Sequence, residues 1–170
     1  MDRLEISALS KEELVEMLGA FGRNLLSVDG LWFTFVEEKF GLELAVEIDE
    51  KVWYSFGRTE ALRLKKVLNI SGDGMSALLE AIPFLSWFAS SDYEVTEVTD
   101  ERLLLSITSC SPQKARIGEG KGEFPCRQVG INYFQTFLST FDPRLKVKCL
   151  LCPPDEHPDD LWCQWEFRLE

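Results

Sequence analysis

The C-terminal stretch 145–169 constrains the fold of this chain most strongly, because two alternating segments flank a proline-rich loop. From Leu145 to Cys149 apolar residues alternate with lysines, and from Cys163 to Leu169 apolar residues alternate with polar ones. A period of two is typical of half-buried strands. We therefore predict that the chain closes with an antiparallel hairpin.

This hairpin would also bring thiols together. It contains three of the five cysteines and the single histidine, His157. If Leu151 pairs with Leu161 across the loop, Cys149 faces Cys163 on the apolar side, with Cβ atoms about 4.5–5.5 Å apart. Such a pair could share a metal ion or, with some adjustment, form a disulfide.

The rest of the chain completes a predicted single α+β domain over residues 1–170, with a helical part at 10–90 and a sheet part at 93–170. Ser10 and Glu13 have the spacing of a capping box, which predicts a helix start. We expect N-terminal helices followed by an antiparallel sheet of about four strands with a helix packed on it. The other predicted features are a helix end at Asp29-Gly30, a segment from Leu31 to Phe40, a helix from Leu42 to Leu68, a helix from Met75 to Ala89 kinked or split at Pro83, strands at Tyr93–Val98 and Leu103–Cys110, a loop from Ser111 to Pro125 and a helix from Cys126 to Phe141.

Composition limits the functional classes. The chain has 170 residues, 45% of them hydrophobic, and a formal net charge of −11. The acidic balance argues against nucleic-acid binding, and no apolar run approaches the roughly 18 residues that cross a membrane. The N-terminus lacks the apolar core of a signal peptide, so we predict a cytoplasmic protein. In a reducing compartment, five cysteines indicate free thiols, a metal thiolate or a transient redox pair.

The cysteines form the first candidate site. We predict that Cys110, Cys126, Cys149, Cys152 and Cys163 converge and bind zinc or an iron–sulfur cluster. The Cys-x-x-Cys spacing at 149–152 is a weak signal alone, because zinc-binding pairs are usually matched by a second pair. Two alternatives stay open: one thiol is reactive or redox-active, or all five pack as small apolar side chains.

The segment between Cys110 and Cys126 is the second candidate site. It is rich in glycine and concentrates positive charge in an acidic chain, so it could close as a lid over a small anionic ligand such as a carboxylate. The alternative is a solvated surface loop. The basic residues in question are Lys114, Arg116, Lys121 and Arg127.

His157 is predicted to lie exposed at the hairpin tip, where a histidine is more often a surface residue than a ligand. In a hydrolase, Cys126 at a helix start would be the nucleophile and His157 the base. Trp162 and Trp165 could line a ligand pocket. Helical spacing, in contrast, assigns most other aromatic residues to the core, among them Trp32, Phe35 and Trp53.

Four segments carry a family resemblance: Leu31-Trp-Phe-x-Phe-Val-Glu-Glu-Lys-Phe-Gly41, Asp49-Glu-x-Val-Trp53, Glu123-Phe-Pro-Cys126 and the stretch from Cys149 to Trp165. They resemble a family of small uncharacterised prokaryotic proteins, which is more distantly similar to the L-2-amino-thiazoline-4-carboxylate hydrolases. The resemblance spans the chain from about Leu31 onward. It implies a cytosolic α+β domain with C-terminal cysteines, and hydrolysis of a C–N or C–S bond in a small cyclic amidine as a candidate activity.

Three functions are therefore candidates. The first is a domain that binds a metal ion or a small anionic molecule at the cysteine cluster. The second is a thiol-dependent hydrolase of a small cyclic amino-acid derivative. The third is a structural or interaction protein whose acidic N-terminal helices meet a partner and whose cysteines are inert. The sequence leaves the oligomeric state open.

Overall fold

Nine regular elements follow one another in a computed structural model, which describes residues 6–170. The predicted α+β class is confirmed, because N-terminal helices precede a four-stranded antiparallel sheet. Short 3-10 segments occur at Ile6–Ala8, Ile82–Phe84 and Ser86–Ser90. The helices and strands are α1 (Lys11–Phe40), α2 (Leu42–Leu68), α3 (Gly74–Ala81), β1 (Ser91–Thr96), β2 (Arg102–Cys110), α4 (Ser111–Gly118), α5 (Arg127–Phe141), β3 (Leu145–Leu151) and β4 (Cys163–Leu169).

The sheet has the strand order β1-β2-β4-β3, so that β4 lies between β2 and β3. The predicted closing hairpin is present, but its predicted register is wrong. Cys149 pairs with Trp165 and Leu151 pairs with Gln164, with an irregularity between the two pairs. Because the partner of Cys149 lies two residues beyond Cys163, both cysteines remain on the same face of the sheet.

Two glycines set the distances between the layers α2, α5 and the sheet. A Cβ atom on Gly57 of α2 would lie 2.4 Å from the carbonyl oxygen of Tyr133 in α5. A Cβ atom on Gly130 of α5 would lie 2.4 Å from the ring of Trp165 in β4. Because neither position has a side chain, α2 approaches α5 closely and α5 approaches the sheet closely. Helix α5 is therefore the central helix of the core.

Helix α1 differs from its prediction. The capping box is confirmed, since Ser10 and Glu13 exchange hydrogen bonds of 3.2 and 2.8 Å. The predicted helix end at Asp29-Gly30 is wrong, because one helix continues to Phe40. A glycine inside a helix costs only about 1 kcal/mol relative to alanine, which the continuous contacts of a long helix can offset.

Most of the apolar surface of α1 is not in the core. Gly22 is its buried residue, and a Cβ atom there would lie 2.4 Å from the Cβ atom of Ala89. The core prediction is wrong for Trp32 and Phe35, whose side chains are 70% and 61% exposed. Helix α1 is long and carries many apolar residues. Even so, no helix within residues 6–170, α1 included, is both long and apolar enough to cross a membrane.

The connection between β2 and α5 contains a helix that the sequence prediction missed. Ser111–Gly118 forms α4, with a proline in its first turn, where the missing N–H group costs no hydrogen bond. Pro83 has the predicted effect, because α3 ends at Ala81 and a 3-10 segment follows.

Candidate functional site: a thiol cluster at one end of the sheet

Five thiols converge where four elements end or begin. Cys110 is the last residue of β2, and Cys163 is the first residue of β4. Cys149 lies in β3, Cys152 follows the end of that strand, and Cys126 directly precedes α5. Ile107 pairs with Cys163, which brings the end of β2 beside the start of β4.

Cys152 is the centre of this cluster. Its side chain is fully buried, and its Sγ atom lies 3.4 Å from Sγ of Cys126. The thiols of Cys149 and Cys163 lie near enough to Cys152 to affect the pKa of its thiol. We call these four residues the thiol cluster. Its members come from three separate segments of the chain, so folding is required to assemble it.

Two N–H groups already point at sulfur atoms of the thiol cluster. Gln113 Nε2 donates to Sγ of Cys126 at 3.4 Å, and Trp165 Nε1 donates to Sγ of Cys163 at 3.2 Å. Gln113 is only 1% exposed, and it exchanges two further hydrogen bonds of 2.8 Å with the backbone of Phe124. The buried glutamine of α4 thus fixes the segment that leads to Cys126. The sequence pattern predicts a loop at 111–125 and therefore gives no indication that Gln113 is buried.

The thiols differ in acidity because Cys152 acts as the common donor. Its hydrogen bonds to Cys126, Cys149 and Cys163 raise the pKa of Cys152 far above its usual range. The hydrogen bond with Cys152 lowers the pKa of Cys126, and the bond from Gln113 lowers it further. The same partner lowers the pKa of Cys149. Negative charge therefore develops first on Cys126 and Cys149.

The fifth cysteine stands apart chemically. Burial raises the pKa of Cys110 to about 12. It lies close enough to Cys126 and Cys163 for their charges to raise its pKa further. Cys110 is therefore a neighbour of the thiol cluster that remains a neutral thiol.

The spacing and the donor chemistry of the thiol cluster suit a single tetrahedral metal ion. Four thiolates about 2.3 Å from a zinc ion have sulfur atoms about 3.8 Å from one another. The 3.4 Å separation of Cys126 and Cys152 is close to this value. Across residues 6–170, however, no three Cys, His, Asp or Glu side chains have the mutual arrangement of a preformed metal site. Binding would therefore require movement of the thiols together with loss of their protons.

The position of His157 differs from the prediction of an exposed hairpin tip, because its side chain is only 9% exposed. Its Nδ1 atom lies 2.9 Å from the carbonyl oxygen of Pro158, and its Nε2 atom lies 3.2 Å from Oε1 of Glu123. The carbonyl group and then the carboxylate raise the pKa of His157. Its ring packs 5.0 Å from that of Trp162. The histidine thus fastens the hairpin loop to the segment before Cys126, without a hydrogen bond to Cys126 itself.

The basic residues of the predicted lid each have a partner in the protein. Arg116 donates to both carboxylate oxygens of Glu37 at 2.7 Å, and its side chain is only 9% exposed. Lys114 Nζ donates to the Ser109 hydroxyl at 2.7 Å. Two further ion pairs complete the set: Lys121 with Glu119, and Arg127 with Asp155.

The two predicted pocket tryptophans are buried. Trp165 is 3% exposed and packs against Gly130. Trp162 is 8% exposed, and its Nε1 atom has no hydrogen-bond partner among residues 6–170. Both rings therefore belong to the packing around the thiol cluster and the hairpin loop.

Comparison with known proteins identifies a family and a fold. The sequence model described as "Family of unknown function (DUF6125)" matches residues 7–169. No curated protein matches the chain. Among solved structures, the chain is similar to a trafficking protein particle complex subunit 3 from Naegleria fowleri, whose crystal structure has it covalently bound to palmitic acid. The TM-score is 0.52 at 12% identity, over 94% of this chain and 97% of that one. At this identity the likeness concerns the fold alone.

Proposed function

The chain belongs to the DUF6125 family of unknown function, and we propose that it is a metal-binding domain in which Cys126, Cys149, Cys152 and Cys163 ligate one zinc ion. The observation that supports this proposal is the 3.4 Å contact between the buried sulfur of Cys152 and that of Cys126, with Cys149 and Cys163 near enough to affect the pKa of Cys152. Cysteines that serve only as small apolar side chains have no need to meet one another.

The surroundings of the thiol cluster suit a thiolate site. A zinc ion with four thiolates carries a net charge of −2, which must be offset in a buried place. The N–H groups of Gln113 and Trp165 donate to two of the sulfur atoms, as outer groups do at thiolate metal sites. Arg127 lowers the pKa of Cys149, and the first turn of α5 adds the positive end of a helix dipole.

The number of ligands favours a structural role for the metal. Four protein ligands complete a tetrahedral zinc site, whereas catalytic zinc sites keep one position for water or substrate. The metal would join the start of α5, the end of β3 and the start of β4, and so fasten both ends of the hairpin loop. A single ion fits the 3.4 Å sulfur spacing better than a larger iron–sulfur cluster, which holds its ligands farther apart. Such a site requires reduced thiols, as the cytoplasm provides.

The test is the metal content of the full chain, expressed without a polyhistidine tag and purified without chelator. We expect about one zinc ion per chain, and loss of at least about nine-tenths of it in Cys152→Ser. Cys110→Ser is the matched control, because it removes a buried neighbouring thiol outside the cluster and should retain the metal. Less than about a tenth of an equivalent of any transition metal in the wild-type chain would contradict the proposal, as would equal metal in wild type and Cys152→Ser.

The hydrolase and anionic-ligand hypotheses stay predictions. Cys126 and His157 form hydrogen bonds with different partners, and the four basic residues of the predicted lid are paired. The metal hypothesis is the one that the contacts among the side chains favour.

A further inference from the structure

Helix α1 carries an apolar seam with the period of a coiled coil. Its members follow one another at alternating intervals of four and three residues, an average of 3.5. This period keeps one line of side chains facing a partner helix over many turns. The seam consists of Leu14, Leu18, Phe21, Leu25, Val28, Trp32 and Phe35.

The rest of the domain leaves this seam largely uncovered. Leu18, Phe21 and Val28 are 68%, 60% and 57% exposed. Trp32 and Phe35 are 70% and 61% exposed. Contiguous exposed patches of large apolar side chains are rare on monomeric proteins and mark sites of interaction.

The seam is distinct from the face by which α1 packs on its own domain. That face is marked by Gly22 against Ala89, by the ring of Phe33 against that of Phe124, and by the ion pair of Glu37. Since each residue advances a helix by about 100°, the seam lies roughly a third of a turn from this packed face. The helix thus has two apolar faces, and residues 6–170 cover one of them.

We propose that the seam of α1 pairs with the seam of α1 in a second copy of this chain. A two-fold dimer requires one surface that is complementary to itself, and a heptad seam of large apolar side chains meets this requirement. The seam contains no charged residue, and its outer flank presents the neutral side chains of Met17, Asn24 and Leu31. Two copies of a chain with a net charge of −11 can therefore meet along this line without opposing like charges across it.

The area of the seam is sufficient for a stable dimer. An aromatic side chain buries about 150–250 Å² when it is fully covered. The rings of Phe21, Trp32 and Phe35, at their present exposure, would bury about 300–450 Å² per copy. This is about half of the roughly 800 Å² per partner in a standard interface. The aliphatic members and Met17 supply comparable additional surface.

The experiment measures the mass of the full-length protein in solution over a concentration series, by sedimentation equilibrium. We expect twice the chain mass of 19.5 kDa at micromolar concentration. Trp32→Glu, which adds one charge per copy to the seam, should weaken association at least about 100-fold. Val67→Glu is the matched control, because Val67 is a 75% exposed apolar residue on α2 and its replacement should leave the dimer unchanged.

A monomeric wild-type protein at about 100 µM would overturn the proposal, as would a dimer that Trp32→Glu does not weaken. Circular dichroism establishes that the variants are folded. A photo-crosslinking amino acid at position 32 gives a second measurement in the folded protein, with a covalent dimer as the expected product. Absence of that product under dimer conditions also contradicts the proposal. Neither measurement depends on metal binding.

Discussion

Helices α1 and α5 have similar sequence patterns and opposite environments. The 15 residues of α5 include six buried ones, whereas the 30 residues of α1 include one, Gly22. Both helices present apolar side chains at helical spacing. Periodicity therefore identifies an apolar face of a helix, but it does not determine whether the same chain or another one covers that face.

The difference arises from the close contacts of α5. This helix packs between α2 and the sheet through contacts that a single added carbon atom at Gly57 or Gly130 would block. Helix α1 is held instead at separate points: Gly22 near Ala89, Phe33 near Phe124, and Glu37 with Arg116. Changes within the core of α5 should therefore cost more than changes at the attachment points of α1.

The largest effect is expected for Gly130→Ala in α5. Its Cβ atom would lie 2.4 Å from the ring of Trp165, so the helix and strand β4 must separate. We expect the free energy of unfolding to fall by about 3 kcal/mol. Urea denaturation measures this change. A loss below about 0.5 kcal/mol would show that α5 and the sheet are not tightly packed at this point.

A smaller loss is expected for Arg116→Met, which removes one attachment of α1. The substitution leaves the Glu37 carboxylate, held at 2.7 Å by two N–H groups, without its partner. We expect a loss of about 2 kcal/mol in the free energy of unfolding. Lys114→Met on the same helix is the control, and its expected effect is below about 0.5 kcal/mol, because that lysine is exposed.

The stability of the contact between α1 and α2 should depend on pH. Burial raises the pKa of Asp49 to about 8, and the adjacent Asp29 carboxylate adds to the shift. Since the ordinary value is 3.8, unfolding releases a proton over the intervening pH range. The contribution of Asp49 to stability is thus complete below about pH 4 and is lost as pH rises towards 8.

Asp49→Asn should remove this loss and stabilise the protein by about 1–2 kcal/mol at pH 8. Unfolding curves at pH 5 and pH 8 measure the effect, which should be smaller at pH 5. Glu43→Gln, at an exposed position of the same helix, serves as the control for the change in net charge. An equal gain in stability from Asp49→Asn and Glu43→Gln would show that the effect of pH does not come from the buried carboxyl group of Asp49.

The smallest effect is expected for Gly30→Ala, the counterpart of the first substitution within α1. No atom of the described part of the chain lies within 4 Å of the Cβ position, so the added methyl group meets open space. Alanine is favoured in a helix interior, and we expect a gain of about 0.5–1 kcal/mol. Loss of stability in the urea experiment would mean that this face of α1 is covered.

The sequence was most informative where local pattern and packing agree. The alternation in stretch 145–169 predicts the hairpin, and this hairpin, with Cys110 and Cys126 at the two ends of the loop between them, led us to expect that distant thiols converge. The register was wrong because the irregularity between Cys149 and Leu151 has no signature in the alternating pattern. Since the error at Cys149 is two residues, Cys149 and Cys163 still lie on the same face of the sheet.

The errors at α1 and α4 have other physical causes. Asp29-Gly30 resembles a helix end, but the free-energy cost of a glycine inside a helix is small. Helix α1 also contacts the domain both before and after this position. The glycines after α4 suggested a loop, whereas Ser111 and Pro112 start a short helix that carries Gln113. No rule of sequence spacing reveals that this glutamine reaches Cys126, because the contact exists only after the chain folds.

Titration of the reduced, metal-free full chain with cobalt(II) tests directly whether the thiol cluster binds one metal ion, because cobalt bound by four thiolates absorbs visible light with a characteristic tetrahedral spectrum. We expect saturation at one cobalt ion per chain, an unchanged spectrum in Cys110→Ser and loss of this spectrum in Cys152→Ser. A titration that yields no tetrahedral thiolate absorption in the folded wild-type chain would contradict metal binding by the thiol cluster.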